Sequence, residues 1–323
     1  MKVLILTEAG SGIGLGHITR MTALSSYFKS QENPVDILLS LKGSPNFASD
    51  QHKIFDWLNE SRWYTELQRY DFIIMDSYLA GSELIKRIND HSNKLVVIDD
   101  FNRIEYSADL LINPNVFFSK IDYQNQKCKT IGGSDFVILR ESFRDRKKIE
   151  KTKEKKILIS IGGSDYRRLL PKLASLSLKF EDVTIVCPES DLLTDLTVRF
   201  PNVRLLGHLN EARMVSEISS ARIVISGCGQ SLNELYNLQK NTIGICIDHD
   251  QILNQEYYYE IGFLRSKLSW DSSNLLEEIE EMISNLFLDP FEIPFPNNFN
   301  PTQNLQNYIR SLEALRDSSN NLN

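Results

Sequence analysis

The sequence predicts an α/β protein made of two doubly wound parallel-sheet halves in tandem. Three observations predict it. Short apolar runs alternate along the chain with segments of helical period. Those runs are continuously apolar rather than alternating, as expected of strands covered by helices on both faces. A glycine turn follows the first strand of each series, "GSGIGLGH" (10–17) in the first and "SIGGS" (160–164) in the second. A chain of 323 residues is also long enough for two domains.

The elements run in order along the chain. "KVLILT" (2–7) is a strand, and Ile18, Met21, Leu24, Ser25 and Phe28 then recur at helical spacing. "VDILLSL" (35–41), "FIIMD" (72–76) and "KLVVID" (94–99) are further strands, and "ADLLINPN" (108–115) ends the first series. "RDRKKIEKTKEKK" (144–156) is almost wholly charged and is the candidate linker, unless it is only a solvated helix end. "ILISIGG" (157–163) opens the second series, and "YRRLLPKLASLSL" (166–178) is a helix with Pro171 in or near its first turn. "VTIVCP" (183–188), "VRLLG" (203–207), "RIVISG" (222–227) and "TIGICI" (242–247) are strands, with helices at 191–200, 210–221 and 230–240 between them. A stretch rich in Pro, Asn and Phe (284–302) leads to "NLQNYIRSLEAL" (304–315). That segment sets Leu305, Tyr308, Ile309 and Leu312 on one stripe, a last helix packed on the body, and "DSSNNLN" (317–323) reads as a frayed tail. The expected division is 1–145, 146–285, and an extension with one helix at 286–323.

Composition narrows the partners. The net charge of −7 disfavours a partner held through nucleic-acid phosphates, though it leaves room for a local basic pocket. Cys128, Cys187, Cys228 and Cys246 form no C-x-x-C pair, which fits free thiols in a reducing cytoplasm. No basic segment followed by an apolar one opens the chain, and no apolar run approaches the roughly 20 residues of a membrane span. A cytoplasmic protein without an integral membrane segment is expected.

The first glycine turn is not a dinucleotide fingerprint. Read as G-x-G-x-x-G from Gly10 it ends on Leu15, and from Gly12 it ends on His17. The second strand offers Ser40 and Lys42 where a ribose-binding acid would stand, and there is no G-K-[ST]. Glycines at this density bring backbone close to a ligand in the crevice of the fold. His17 opens the following helix, where the dipole favours a neutral imidazole able to take a proton from water. The plainer alternative is a capping or core histidine. Asp76, Asp99 and Asp100 end strands, and with Tyr78 they fall outside the carboxyl ends of the sheet, where ligands bind. At least one of the three is expected only to cap the next helix. In "SGCGQSLNE" (226–234) a strand ends and Gln230 and Ser231 open a helix. Backbone N–H groups there suit a diphosphate, and Glu234 is placed to accept from the hydroxyls of a ribose, or is simply an acid complementing the helix dipole. "DHD" (248–250) is given no metal, and no cofactor is called for.

Taken together, "GIGLGHITR", "IIMDSY", "VIDD", "DLLINPN", "ILRESF", "ISIGGSD", "SGCGQSLNE" and "DQILNQ" occur in an order that resembles a known family. The chain from 1 to about 265 is similar to the UDP-sugar hydrolases of pseudaminic acid synthesis and the related spore-coat polysaccharide proteins. Those hydrolases remove UDP from UDP-2,4-diacetamido-2,4,6-trideoxy-β-L-altropyranose. The resemblance implies the GT-B fold, two Rossmann-like domains facing a cleft, with the nucleotide on the C-terminal half and the sugar toward the N-terminal half. It implies a UDP-sugar as partner, His17 as the key catalytic residue, and Asp76 and Tyr78 beside the sugar. Gly14, Gly16, Arg20 and Asp100 would line the sugar side. Gly162, Gly163, Gly229, Gln230, Ser231, Asn233 and Glu234 match the nucleotide turns, and Gln251 and Asn254 the polar positions between phosphate and sugar. "SGCGQSLNE" is also similar to the turn of the lipid-linked N-acetylglucosaminyltransferase of this architecture. That keeps a UDP-sugar glycosyltransferase as second reading, with the aromatic segment 54–70 as a candidate membrane-facing patch. A non-catalytic nucleotide-sugar binder is the third.

Overall fold

The apolar runs become strands because their Val, Ile and Leu side chains are covered on both faces. The computed structural model describes residues 1–10, 13–43, 51–60, 63–145, 156–187, 189–288 and 299–320. Two units emerge: Met1–Leu139 together with Asn300–Asn323, and Arg140–Phe299.

In the first unit the strands are β1 (Val3–Gly10), β2 (Val35–Lys42), β3 (Lys53–Ile54), β4 (Phe72–Asp76), β5 (Leu95–Ile98), β6 (Leu110–Asn113) and β7 (Lys129–Gly132). They form one sheet in the order β3-β2-β1-β4-β5-β6-β7, and every pairing is parallel. The helices are α1 (Gly16–Ser30), α2 (Ser82–His91) and, from the far end of the chain, α9 (Pro301–Asn320). Side chains alternate across the sheet. Val3, Ile5 and Ala9 share a cluster with Ile74, Val96 and Ile112, closed by Met21, Leu24 and Phe28 of α1 and Leu305, Tyr308 and Leu312 of α9. Leu4, Leu6, Ile73, Met75 and Val97 face the other way, onto Ile85 and Ile88 of α2 and onto Trp57, Tyr64 and Leu67. The aromatics Trp57 and Tyr64 of the segment 54–70 are therefore core, with Trp57 Nε1 donating to Thr7 O at 2.9 Å, while Phe55, Trp63 and Tyr70 are half-buried.

The second unit holds β8 (Ile157–Ser160), β9 (Val183–Val186), β10 (Arg204–Leu206), β11 (Ile223–Gly227), β12 (Asn241–Cys246) and β13 (Leu268–Ser269). Their order is β10-β9-β8-β11-β12-β13, again all parallel. Its helices are α3 (Leu170–Ala174), α4 (Ser190–Arg199), α5 (Glu211–Ser220), α6 (Ser231–Asn237), α7 (Ile252–Glu260) and α8 (Leu275–Leu288). Pro171 lies in the first turn of α3, where its missing N–H costs nothing. Asn210 caps α5, its side chain accepting from Arg213 N at 2.9 Å.

Three details depart from the sequence reading. The units divide at Leu139/Arg140 rather than at 145, and α9 belongs to the first unit rather than to a separate extension. Asn304 Nδ2 donates to Ser134 O at 2.7 Å and Tyr308 Oη to Phe136 O at 2.8 Å, which ties α9 down. The supposed tail is helical as far as Asn320. Most of the charged linker and of the Pro-, Asn- and Phe-rich stretch lies outside the described residues.

Candidate functional site

In each sheet the strand order reverses once, between β1 and β4 and between β8 and β11. At such a point the two flanking loops leave the strands in opposite directions and open a crevice at the carboxyl ends. Most of the predicted site residues follow the strands that flank these two points, while Asp100 follows β5 and Gln251 and Asn254 follow β12.

In the first unit, β1 ends at Gly10 with φ +124°, and a Cβ there would lie 2.0 Å from Lys42 O, so only glycine fits. Gly14 N returns to Gly10 O at 3.0 Å, and the reversed chain enters α1 at Gly16. Gly14 and Gly16 are exposed and border open space. One position on, His17 turns inward and is buried. Its Nδ1 lies 2.7 Å from Oδ1 of Asp76, the last residue of β4. One turn along α1, Arg20 forks two carboxylates. Its Nε and Nη2 donate to Asp76, each at 2.6 Å, and its Nη1 donates to Asp100 Oδ1 at 2.7 Å. Asp100 also accepts from Tyr78 Oη and Asn115 Nδ2, each at 2.6 Å.

The carboxylate fixes the tautomer. Facing an ionised Asp76, Nδ1 carries a proton, which leaves the lone pair of neutral His17 on Nε2. No described residue hydrogen-bonds Nε2. Burial pulls the His17 pKa down, but the charge of Asp76 and its hydrogen bond outweigh this and raise it above 6.5. The helix dipole, expected to keep this imidazole neutral, is overridden by the contact. Asp76 is pushed up by burial and held well below the usual carboxylate range by Arg20 and then His17. Asp100, likewise buried, is held down by Arg20.

Tyr78 meets His17 edge to face, with ring centroids 4.4 Å apart, while Arg103 lies over its ring at 4.7 Å. Its hydroxyl is engaged by Asp100, so the ring wall rather than the hydroxyl proton is what it offers. Asp99 points away from this cluster. It accepts from the backbone N–H groups of Phe101 and Asn102 and from Tyr106 Oη, so it is the aspartate that only shapes a turn. Glu8, fully buried on β1, was not anticipated from the sequence. It accepts from Ser77 Oγ and from Tyr78 N at 2.7 Å and so fixes the turn that carries Tyr78. A lone acid inside "VLILTEAG" was the available signal.

In the second unit, Gly162 (φ +137°) and Gly163 follow β8, exposed and with open space where a side chain would be. Gly227 ends β11, and a Cβ there would lie 2.6 Å from Ile161 O, so the two turns abut. Gln251 Oε1 accepts from Cys228 N at 3.0 Å and Ile247 N at 3.1 Å. Asn254 Nδ2 donates to Cys228 O at 2.8 Å and Gly229 O at 3.0 Å. Both side chains thus shape the turn from behind. Gln230 is exposed and Ser231 half-buried at its rim. Asn233 is turned into the core, its Oδ1 accepting from Tyr258 Oη at 2.6 Å. Glu234 is buried and already paired: Arg140 Nε donates to Oε1 at 2.6 Å and Nη2 to Oε2 at 2.7 Å. In "DHD", Asp248 accepts from Tyr166 Oη at 2.7 Å. Among the described residues, no three His, Cys, Asp or Glu side chains converge on a metal position, and no helix is long and apolar enough to cross a membrane.

Comparison with known proteins agrees with this architecture. No family model matches the chain. Over 266 residues it is 26% identical to the UDP-2,4-diacetamido-2,4,6-trideoxy-β-L-altropyranose hydrolase of Campylobacter jejuni, covering 78% of this chain and 93% of that protein. It is 23% identical to the spore coat polysaccharide biosynthesis protein SpsG of Bacillus subtilis, over 70% of this chain and 72% of that one. The resemblance carried by the motifs is thus found again across most of the sequence. Among solved structures, MurG of Acinetobacter baumannii superposes with a TM-score of 0.60 at 12% identity, covering 97% of this chain and 100% of MurG. At that identity the likeness concerns the fold, which is of the GT-B class.

Proposed function

We propose that this chain is a UDP-sugar hydrolase acting at the anomeric carbon of a UDP-diacetamido-trideoxy sugar, with inversion, in the synthesis of a surface glycan. The observation that carries the reading is the His17–Asp76 pair at the first switch point, with Nε2 of the imidazole bonded by none of the described residues. Water held at Nε2 gives up a proton to it as its oxygen bonds to C1. The bond from C1 to the diphosphate oxygen breaks on the opposite face, and UDP departs with that electron pair. The imidazolium is stabilised by Asp76, whose charge is in turn neutralised by Arg20. Tyr78 fixes the ring of His17 from the side. In the second unit, the turns at Gly162–Gly163 and Gly229–Ser231 offer backbone N–H groups to the diphosphate. Glu234 has two of its carboxylate lone pairs left for ribose hydroxyls.

The hydrolase named among the relatives supports the substrate class. A glycosyltransferase would use the same donor-side residues with a hydroxyl in place of water; the SGCGQSLNE turn favours keeping it as second reading. The deciding experiment is incubation with a panel of UDP-sugars, followed by NMR. Free sugar of inverted anomeric configuration appearing with UDP supports hydrolysis. Turnover only when an acceptor sugar or lipid is added would replace it with transfer, and UDP-sugar binding without turnover would leave a binding protein.

A further inference from the structure

The motif "ILRESF" (138–143) has no part in the chemistry above, yet its arginine forks the Glu234 carboxylate of the proposed nucleotide site. We propose that Arg140 is a positioning residue of that site, holding the Glu234 carboxylate in one orientation and as an anion, so that its two remaining lone pairs meet the ribose hydroxyls of a uridine nucleotide. The inference rests on the reading of Glu234 as the ribose acceptor.

The geometry is a bidentate fork, Nε to Oε1 at 2.6 Å and Nη2 to Oε2 at 2.7 Å, which fixes the plane of the carboxylate as a lysine could not. The arginine is itself fixed. Its guanidinium lies 4.2 Å over the ring of Phe143, which is fully buried. Phe143 O accepts from Asn237 Nδ2 at 2.6 Å, so the segment is fastened to one face of α6 at two points a turn apart, Glu234 and Asn237. A carboxylate accepts at about four sites, and the fork occupies two. The charge balance around Glu234 is simple. Among the described residues, Arg140 is the cation acting on it, and Glu211, at the start of α5, is the other charged group, of like sign. Burial favours the protonated acid, Arg140 opposes it and Glu211 adds to it, and the balance leaves the Glu234 carboxyl raised above its ordinary value, so Arg140 limits a rise that burial alone would make larger. Without Arg140, a neutral carboxyl would replace the anion as pH falls, and one of its oxygens would become a donor.

The test is UDP and 2′-deoxy-UDP binding by calorimetry between pH 6 and 8.5, for wild type, Arg140→Lys, Arg140→Met, Glu234→Gln and the double variant Arg140→Met/Glu234→Gln. Thermal unfolding of each reports whether it is folded. Wild type should bind UDP with little pH dependence and prefer it to the deoxy analogue. Arg140→Met should bind UDP about tenfold or more weakly, lose further affinity as pH falls, and lose the preference for the 2′-hydroxyl. Arg140→Lys should be intermediate and flat with pH, because the charge stays and the fork is lost. If Arg140→Met leaves a buried unpaired charge and does not fold, the double variant decides: acting only through Glu234, Arg140 should add nothing to the loss in Glu234→Gln. Arg140 variants that bind UDP like wild type at every pH, beside a weakened Glu234→Gln, would overturn the role of Arg140 alone. Unchanged affinity in Glu234→Gln would overturn the ribose reading and this proposal with it.

Discussion

His17 keeps its proton on the side of Asp76, and under the proposed reaction that contact leaves Nε2 as the nitrogen that takes the proton from water. Replacing His17 with Ala should lower kcat about 10²–10⁴-fold and leave UDP affinity within a few-fold, because no diphosphate contact is lost. Gln should not restore the rate, since it takes no proton. Recovery with Gln, in assays of UDP release and UDP binding on the same protein, would make His17 a hydrogen-bond donor instead of a base. The pH profile is a separate check. The acid limb of kcat/KM should lie above 6.5, and Asp76→Asn should move it downward, since the group that raises the imidazole most is gone while Arg20 beside it remains and Asp100 raises it less. A limb that stays in place would mean that another group titrates. The same groups act oppositely on stability. Asp76 and Asp100, lowered from 3.8, contribute stability at neutral pH that is lost as pH falls through their folded values. His17, raised from 6.5, contributes below that value and ceases to as pH rises through its folded one.

Strands and turns set the spacing within which those residues work. Gly227→Ala should destabilise the second unit by about 1–3 kcal/mol, because the new Cβ would lie 2.6 Å from Ile161 O and 2.8 Å from Ile247 Cδ1. It should also weaken UDP binding, since relief requires the two turns to part. Urea denaturation with calorimetry checks both, and wild-type values in both would show that the turns do not act as a pair. The same elements show what the sequence made legible. Strand ends and glycine turns were readable because continuous apolar runs and chain reversal leave local marks, and with them came His17, Asp76 and Gly162. Nothing local separates Asp99 from Asp100, because neighbours at a strand end face opposite sides; the family resemblance, and not its own neighbours, sets Asp100 on the sugar side. The Arg140–Glu234 pair spans a sequence separation of 94 and has no periodic signature. β3 and β7, half polar and at the sheet edges, lack the apolar run that marks the others. For Gln251 and Asn254 the sequence places polar side chains near a turn, but does not say whether they reach out of it or brace it.

At the scale of the molecule, the second unit is inserted into the first. The chain leaves the first unit after Leu139 and returns at Asn300 for α9. A chain ending at residue 299 should therefore fail in its N-terminal part and not at its new end. Leu305, Tyr308 and Leu312 are each nearly fully buried against the first sheet. At roughly 1.5–3 kcal/mol apiece they are comparable to the whole stability of an ordinary domain, about 5–15 kcal/mol. Limited proteolysis should cut the truncated chain within 1–139 and spare 140–299, and uniform resistance would show that α9 is dispensable. The insertion also reverses an order imposed by the ribosome. Domains are ordinarily completed in the order in which they are synthesised. Here the strands made first must wait, with the face that α9 will cover open to solvent, until the last helix has emerged. The unit made second has all its residues beforehand. Nascent chains arrested at successive lengths should acquire protease resistance in the second unit first. The half that holds His17 would be the last to close, so a chaperone that binds exposed apolar strands should find its target in the oldest part of the nascent chain.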